Sequence, residues 1–156
     1  ITQNVAILLK LIPQLSRHYI NTQTSDKERI YDTNSAMSII SPQFIGRKNE
    51  MVVLVLMDSK NRVLYCGVVT EGNVNTVPLY IRKIITLAAT YNAAEAIIAH
   101  NHPSGNPAPS VEDELITQKI KEMADCLEIE FIDHLIVGKH CFYSFASKKI
   151  YQNKED

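Results

Sequence analysis

Seven apolar residues in a row, Met51-Val52-Val53-Leu54-Val55-Leu56-Met57, constrain this chain more than any other feature. The run is rich in β-branched valine and too short for a typical helix, so it reads as a strand. A strand with no polar face has to be covered on both sides. The fold therefore needs a sheet packed against other layers, and the rest of the chain must supply them.

The flanking sequence fits that demand. Asp58-Ser59-Lys60-Asn61 supplies turn chemistry, and Arg62–Val69 returns as a second strand, which predicts a hairpin. Asn73–Thr76 reads as a loop. Pro78 suits a first helical turn, and Ile81, Ile84, Ile85 and Ala88 follow at helical spacing. Ala96-Ile97-Ile98-Ala99-His100 is a short apolar strand. A helix opening at Ser110 carries Leu115, Ile116, Ile120, Met123 and Leu127 as its stripe. Residues 129–137 and 141–145 form two more strands joined at Gly138-Lys139. Upstream, residues 4–20 read as a helix striped by Val5, Leu8, Leu9, Ile12, Leu15 and Tyr19 and interrupted by Pro13. Residues 21–34 look like a polar linker or loosely packed arm, and Ser35–Ile40 like a short helix. The expected architecture is α/β, a mixed β-sheet flanked by helices and preceded by an N-terminal helix.

Composition narrows the function classes. The 156 residues suit one domain, and 46% apolar with 21% charged excludes a disordered tail, a collagen-like fibre and a disulfide-dense miniprotein. Net charge is −1, so no global basic field exists to hold nucleic acid by its phosphates. The charge is slightly polarised. Residues 1–49 hold six Lys+Arg against three Asp+Glu, and residues 50–156 hold ten against fourteen. No segment approaches the roughly 20 apolar residues of a membrane span, and no signal peptide is recognisable. Cys66, Cys126 and Cys141 form no C-x-x-C pair, which fits idle thiols in a reducing cytoplasm. The chain starts at Ile1 rather than Met, which suggests a piece of a longer protein.

The chemistry concentrates between His100 and Asp113. His100 and His102 sit two apart at the end of a strand, where residues i and i+2 point to one side. Both imidazoles can reach one cation. The loop after them is stiffened by Pro103, Pro107 and Pro109, and Asp113 lies in the first turn of the next helix. Two His and a carboxylate, with a fourth position left to water, is the pattern of an open catalytic zinc site. Ser110-x-x-Asp113 also fits a helix capping box, and that reading stands beside the first. A zinc deaminase would want H-x-E followed by P-C-x-x-C. Here the third position is His102 and no cysteine pair exists.

The pattern His100-x-His102-Pro103-x6-Ser110-x-x-Asp113 resembles the JAMM motif of the JAB/MPN metalloprotease superfamily. The wording Ala99-His100-Asn101-His102-Pro103-Ser104-Gly105, with Asp133-His134-Leu135-Ile136-Val137-Gly138 and Tyr143-Ser144-Phe145-Ala146, is similar to the RadC family within it. The resemblance implies a cytidine-deaminase-like JAB/MPN fold over residues 35–150, an N-terminal helix and connector over 1–34, and a tail over 151–156. It implies one Zn2+ per chain, or another divalent transition metal, on His100, His102 and Asp113. It further implies an upstream glutamate as general base. Glu50, directly before the buried run, occupies that place, and Glu71 is the competitor. Ser110 corresponds to the serine that helps stabilise the oxyanion, a role that competes with capping for the same oxygen. His134 reads as a buried structural histidine or a support to the metal ligands, and Asn101 and Ser104 as residues shaping the turn. One departure stands out. Many RadC proteins enter the preceding helix with His-Pro-Arg-Glu, and this chain has Tyr80-Ile81-Arg82-Lys83.

The function so implied is a zinc-dependent peptidase or isopeptidase-type hydrolase in the cytoplasm, acting on a peptide or protein. A homodimer is left open. The alternative is a DNA-repair accessory or interaction module without hydrolytic activity, as the family's traditional name suggests. No basic stripe or reading helix supports direct DNA contact by this chain.

Overall fold

All seven residues of the apolar run are buried, and they form the second strand from one edge of a six-stranded sheet. The computed structural model describes residues 2–23, 29–72 and 77–153. In chain order the strands are β1 (Met51–Met57), β2 (Val63–Glu71), β3 (Glu95–Asn101), β4 (Glu130–Val137), β5 (Cys141–Ser144) and β6 (Lys149–Gln152). They lie side by side as β2-β1-β3-β4-β5-β6. Only β3 and β4 run parallel; the other neighbours are antiparallel. The helices are α1 (Gln3–Gln23), α2 (Thr33–Ile40), α3 (Val77–Tyr91) and α4 (Val111–Cys126), with a 3-10 turn at Ser41–Phe44.

Alternation along β1 feeds two cores. Met51, Val53, Val55 and Met57 meet Met37 and Ile40 of α2, together with Ile97, Leu135 and Phe142. Val52, Leu54 and Leu56 meet Ile84 and Ala88 of α3, and Ile120 and Ala124 of α4. Each such side chain contributes about 1.5–3 kcal/mol by leaving water. The two-sided burial expected of the run is therefore its structural role.

The parallel β3–β4 pair needs a crossover, and α4 provides it. That connection brings the end of β3, with its two histidines, against the start of α4.

Several elements differ from the sequence reading. Residues 29–34 are not a loose arm. Ile30 is buried in the α2-side core, Arg29 bridges to Arg62, and Asp32 caps α2, which starts at Thr33 rather than Ser35. Tyr151 and Gln152 belong to a strand, β6, rather than to a tail. α1 runs unbroken through Pro13, and its stripe faces solvent: Leu8 and Leu15 are 58% and 59% exposed. The loop expected at Asn73–Thr76 lies outside the described residues. The three cysteines are not joined in disulfides.

Candidate metal centre

His100 is almost fully buried on the α4 side of the sheet, and His102 follows the strand, its N–H donating to the Val137 carbonyl. Their Nε2 atoms lie 3.0 Å apart. Asp113 meets both, with Oδ1 3.1 Å from His100 Nε2 and Oδ2 3.4 Å from His102 Nε2. One ligand atom from each of the three residues falls within 4.8 Å of the others. The capping geometry that places Asp113 is also present. Ser110 is the N-cap of α4; its Oγ accepts from the Asp113 N–H, and its own N–H and hydroxyl donate to Asp113 Oδ2 at 2.8 and 2.7 Å. The capping box and the ligand cluster are thus the same residues in one arrangement.

Two imidazole nitrogens and a carboxylate this close require a cation among them, a proton or a metal. Asp113 is buried, and burial alone would raise its pKa. Contacts with His100, His102 and Ser110 outweigh that and hold it far below the usual carboxylate range. His102 is pushed up chiefly by its hydrogen bond to Asp113, against burial, with the Asn106 carbonyl and Glu50 adding to the rise.

The protons on the far side of each ring are directed. His102 Nδ1 lies 2.9 Å from the Asn106 carbonyl, which can only accept, so Nδ1 carries a hydrogen and, in the neutral ring, Nε2 keeps its lone pair. For His100 the direction is set by a chain. The Thr117 hydroxyl donates to the Asp113 carbonyl at 2.6 Å, so it accepts from His134 Nδ1, also at 2.6 Å. His134 is fully buried, and its pKa is driven down to about 3 by burial and then by His100, so the ring is neutral. Its Nε2 therefore accepts from His100 Nδ1 at 2.7 Å. Phe145 stacks on the His134 ring at 5.0 Å. With His100 and His102 neutral, the result is a bare Nε2 on each, turned to the same point as the carboxylate. This is the donor set zinc takes, and orientation of the rear nitrogens is how metal sites fix a tautomer.

The loop is anchored from behind. Gly105, at φ +82°, closes a turn on His102, and its carbonyl accepts from the Lys139 N–H. A Cβ at Gly138 would lie 2.5 Å from the Gly105 oxygen, so only glycine permits this approach.

Glu50 lines a narrow cleft with His100, Asp113 and His134. The cleft holds about 10 Å³, room for one ion or water. Asn101 fastens the chain on either side of Glu50, donating to the Asn49 carbonyl and accepting from the Met51 N–H. Glu71 lies elsewhere, paired with Arg47 at 2.7 Å. Three contributors escape the sequence reading in this detail: Thr117, the direct His134–His100 bond, and the Asn101 clip. Thr117 is signalled only by its i+4 spacing from Asp113, and His134 by being polar in an apolar strand.

Among the described residues, no helix is long and apolar enough to cross a membrane. A family model described as the RadC-like JAB domain matches residues 30–150. The UPF0758 protein PM1152 of Pasteurella multocida is 31% identical over 144 residues, covering 92% of this chain and 64% of its own length. A UPF0758 protein of Actinobacillus pleuropneumoniae serotype 5b is 32% identical over 147 residues, covering 94% of this chain and 67% of its own. The UPF0758 protein IL0240 of Idiomarina loihiensis is 31% identical over 140 residues, covering 90% and 62%. The chain thus spans less than two thirds of the Pasteurella and Idiomarina relatives.

Proposed function

The chain belongs to the RadC-like JAB domain family, and from that premise we propose that it is a zinc-dependent hydrolase of peptide or isopeptide bonds. The observation that carries the reading is the convergence of two imidazole Nε2 atoms and one carboxylate, with Glu50 lining the same cleft. His100, His102 and Asp113 would hold the ion, with zinc favoured over magnesium because imidazole is a borderline-soft ligand. A zinc ion there supplies Lewis acidity and acidifies water.

The remaining steps fall to the protein. The Glu50 carboxylate accepts a proton from water at the cleft and delivers it to the leaving amine. Asn101 keeps that carboxylate at the cleft by holding the peptide units before and after Glu50. Ser110 orients Asp113 with its hydroxyl proton; to serve an oxyanion it turns that proton away while its oxygen still caps α4.

The test separates binding from turnover. Glu50→Gln is expected to keep one zinc per chain and to lower cleavage of a quenched-fluorescent peptide library by about 10²–10⁴-fold. His102→Ala is expected to lose the metal. A metal-free wild-type protein purified without chelator, or full turnover in Glu50→Gln, overturns the proposal.

A further inference from the structure

Three of the six cations in residues 1–49 share one place in the fold. A cavity of about 420 Å³ opens between α1 and the segment entering β1. Lys10, Arg47 and Lys48 line it, with Gln14, Asn49 and Glu71. Among the described residues Glu71 is the one acid in this lining, and it pairs with Arg47 through Nη1. Lys10 and Lys48 have no ion-pair partner among the described residues. Arg47 Nε is buried and has no acceptor there either. Among the described residues the fold therefore leaves this N–H of the guanidinium unsatisfied. Three cations against one acid leave the cavity positive, and its volume lies within the roughly 300–1,000 Å³ typical of ligand pockets.

Its position ties it to the metal centre. Asn49 lines this cavity, and Glu50, the next residue, lines the metal cleft. Their Cα atoms are separated by one peptide unit, about 3.8 Å. Asn101 clamps that junction from β3. The cavity and the cleft therefore flank the same stretch of backbone where the chain enters β1.

We propose that this cavity is a carboxylate subsite, which takes an Asp or Glu side chain of a peptide lying across the metal cleft. Carboxylate fits better than phosphate for two reasons. Glu71 remains in the cavity and repels a dianion more than a monoanion. The cations surround one cavity, whereas a nucleic-acid backbone is met by charges spread along a stripe. The inference rests on the hydrolase reading in taking the occupant to be a peptide, but binding is read without turnover.

Fluorescence anisotropy of the intact chain tests it, with a labelled, amidated peptide alternating Ala and Glu, and its Gln counterpart. A thymidine oligomer and inorganic phosphate serve as competitors, and zinc affinity is measured separately by chelator competition. The Glu peptide is expected to bind at least about tenfold tighter than the Gln peptide, the worth of one charge-assisted contact. Lys10→Glu and Lys48→Glu are each expected to weaken it about tenfold while leaving melting temperature and zinc affinity unchanged. Equal binding of the two peptides, indifference to both charge reversals, or displacement by the oligomer or phosphate at lower concentration than by unlabelled Glu peptide overturns the subsite. Loss of zinc binding with Glu-peptide preference intact would instead overturn the hydrolase reading and leave the subsite standing.

Discussion

Thr117 touches no metal ligand side chain, yet it decides which nitrogen of His100 is free. Its hydroxyl hydrogen goes to the Asp113 carbonyl, its lone pair faces His134 Nδ1, and His134 Nε2 faces His100 Nδ1. Thr117→Val keeps the shape and removes both bonds. His134 can then carry its hydrogen on Nε2, which forces the hydrogen of His100 onto the nitrogen the metal needs. The variant leaves buried His134 Nδ1 without a partner, so it is expected to lose about 1–3 kcal/mol of stability while still folding, and to bind zinc about 10–100-fold more weakly, the usual worth of a group that orients a metal ligand. Thr117→Ser keeps the hydroxyl and should recover most of the loss. Competition with a chromophoric chelator measures both, and wild-type affinity in Thr117→Val would refute the relay. None of this chain of bonds is readable from spacing alone. His100-x-His102 and Ser110-x-x-Asp113 are local and legible, whereas the bond from His100 to His134 joins positions 34 apart and exists only once β3 and β4 pair in register.

At the scale of elements, the metal loop holds its shape because the β4–β5 hairpin backs it. Gly138 is the contact point: a methyl group there would meet the Gly105 oxygen, the Cys141 oxygen and Pro107 Cδ, all within 3.0 Å. Gly138→Ala must push the Gly105 turn, and with it His102. Overpacking of this kind costs about 1–3 kcal/mol. Thermal unfolding should record that loss, and zinc binding should weaken with it; a variant that loses stability alone would show the loop to be independent of the hairpin. The β1–β2 hairpin carries a second prediction. The Asp58 carboxylate accepts from Arg62 Nε at 2.6 Å and from the backbone N–H groups of Lys60 and Arg62. These bonds, led by the Arg62 side chain, lower its pKa from 3.8 to about 2. A depressed carboxyl contributes stability above its unfolded pKa and loses it as pH falls through the folded value. Asp58→Asn should therefore unfold with a shallower pH dependence between about pH 4 and pH 2 in denaturant titrations. Identical slopes would remove Asp58 from the acid transition. The elements themselves are legible where the apolar pattern is strong, as in β1, β3 and α4. β6 is not, because Lys149-Ile150-Tyr151-Gln152 is an exposed edge strand that owes its existence to pairing with β5 rather than to its own pattern. The stripe of α1 shows the opposite failure. Periodicity identifies a helix and its apolar face but says nothing about what covers that face, and the described residues leave it in solvent.

The whole molecule couples the candidate metal centre to folding. The three residues that could hold an ion come from β3, from the loop that follows and from α4, so the unfolded chain offers no comparable site. Asp113 and His100 are buried, and Asp113 sits among groups that demand a cation. A ligand that binds only the folded state stabilises it by RT ln(1 + [L]/Kd), about 4 kcal/mol at a thousandfold excess over Kd. For a chain of this length each kcal/mol raises the melting temperature by about 2–4 °C. Zinc in that excess should therefore raise the melting temperature by roughly 8–16 °C, and removing it with a chelator should reverse the shift. His102→Ala, which leaves the two cores intact, should melt near the chelated wild type and ignore added zinc. A wild-type transition that does not move with zinc would mean that the His100, His102 and Asp113 cluster holds a proton rather than a metal. The hydrolase reading would then fall, because without the ion Glu50 has nothing to act beside.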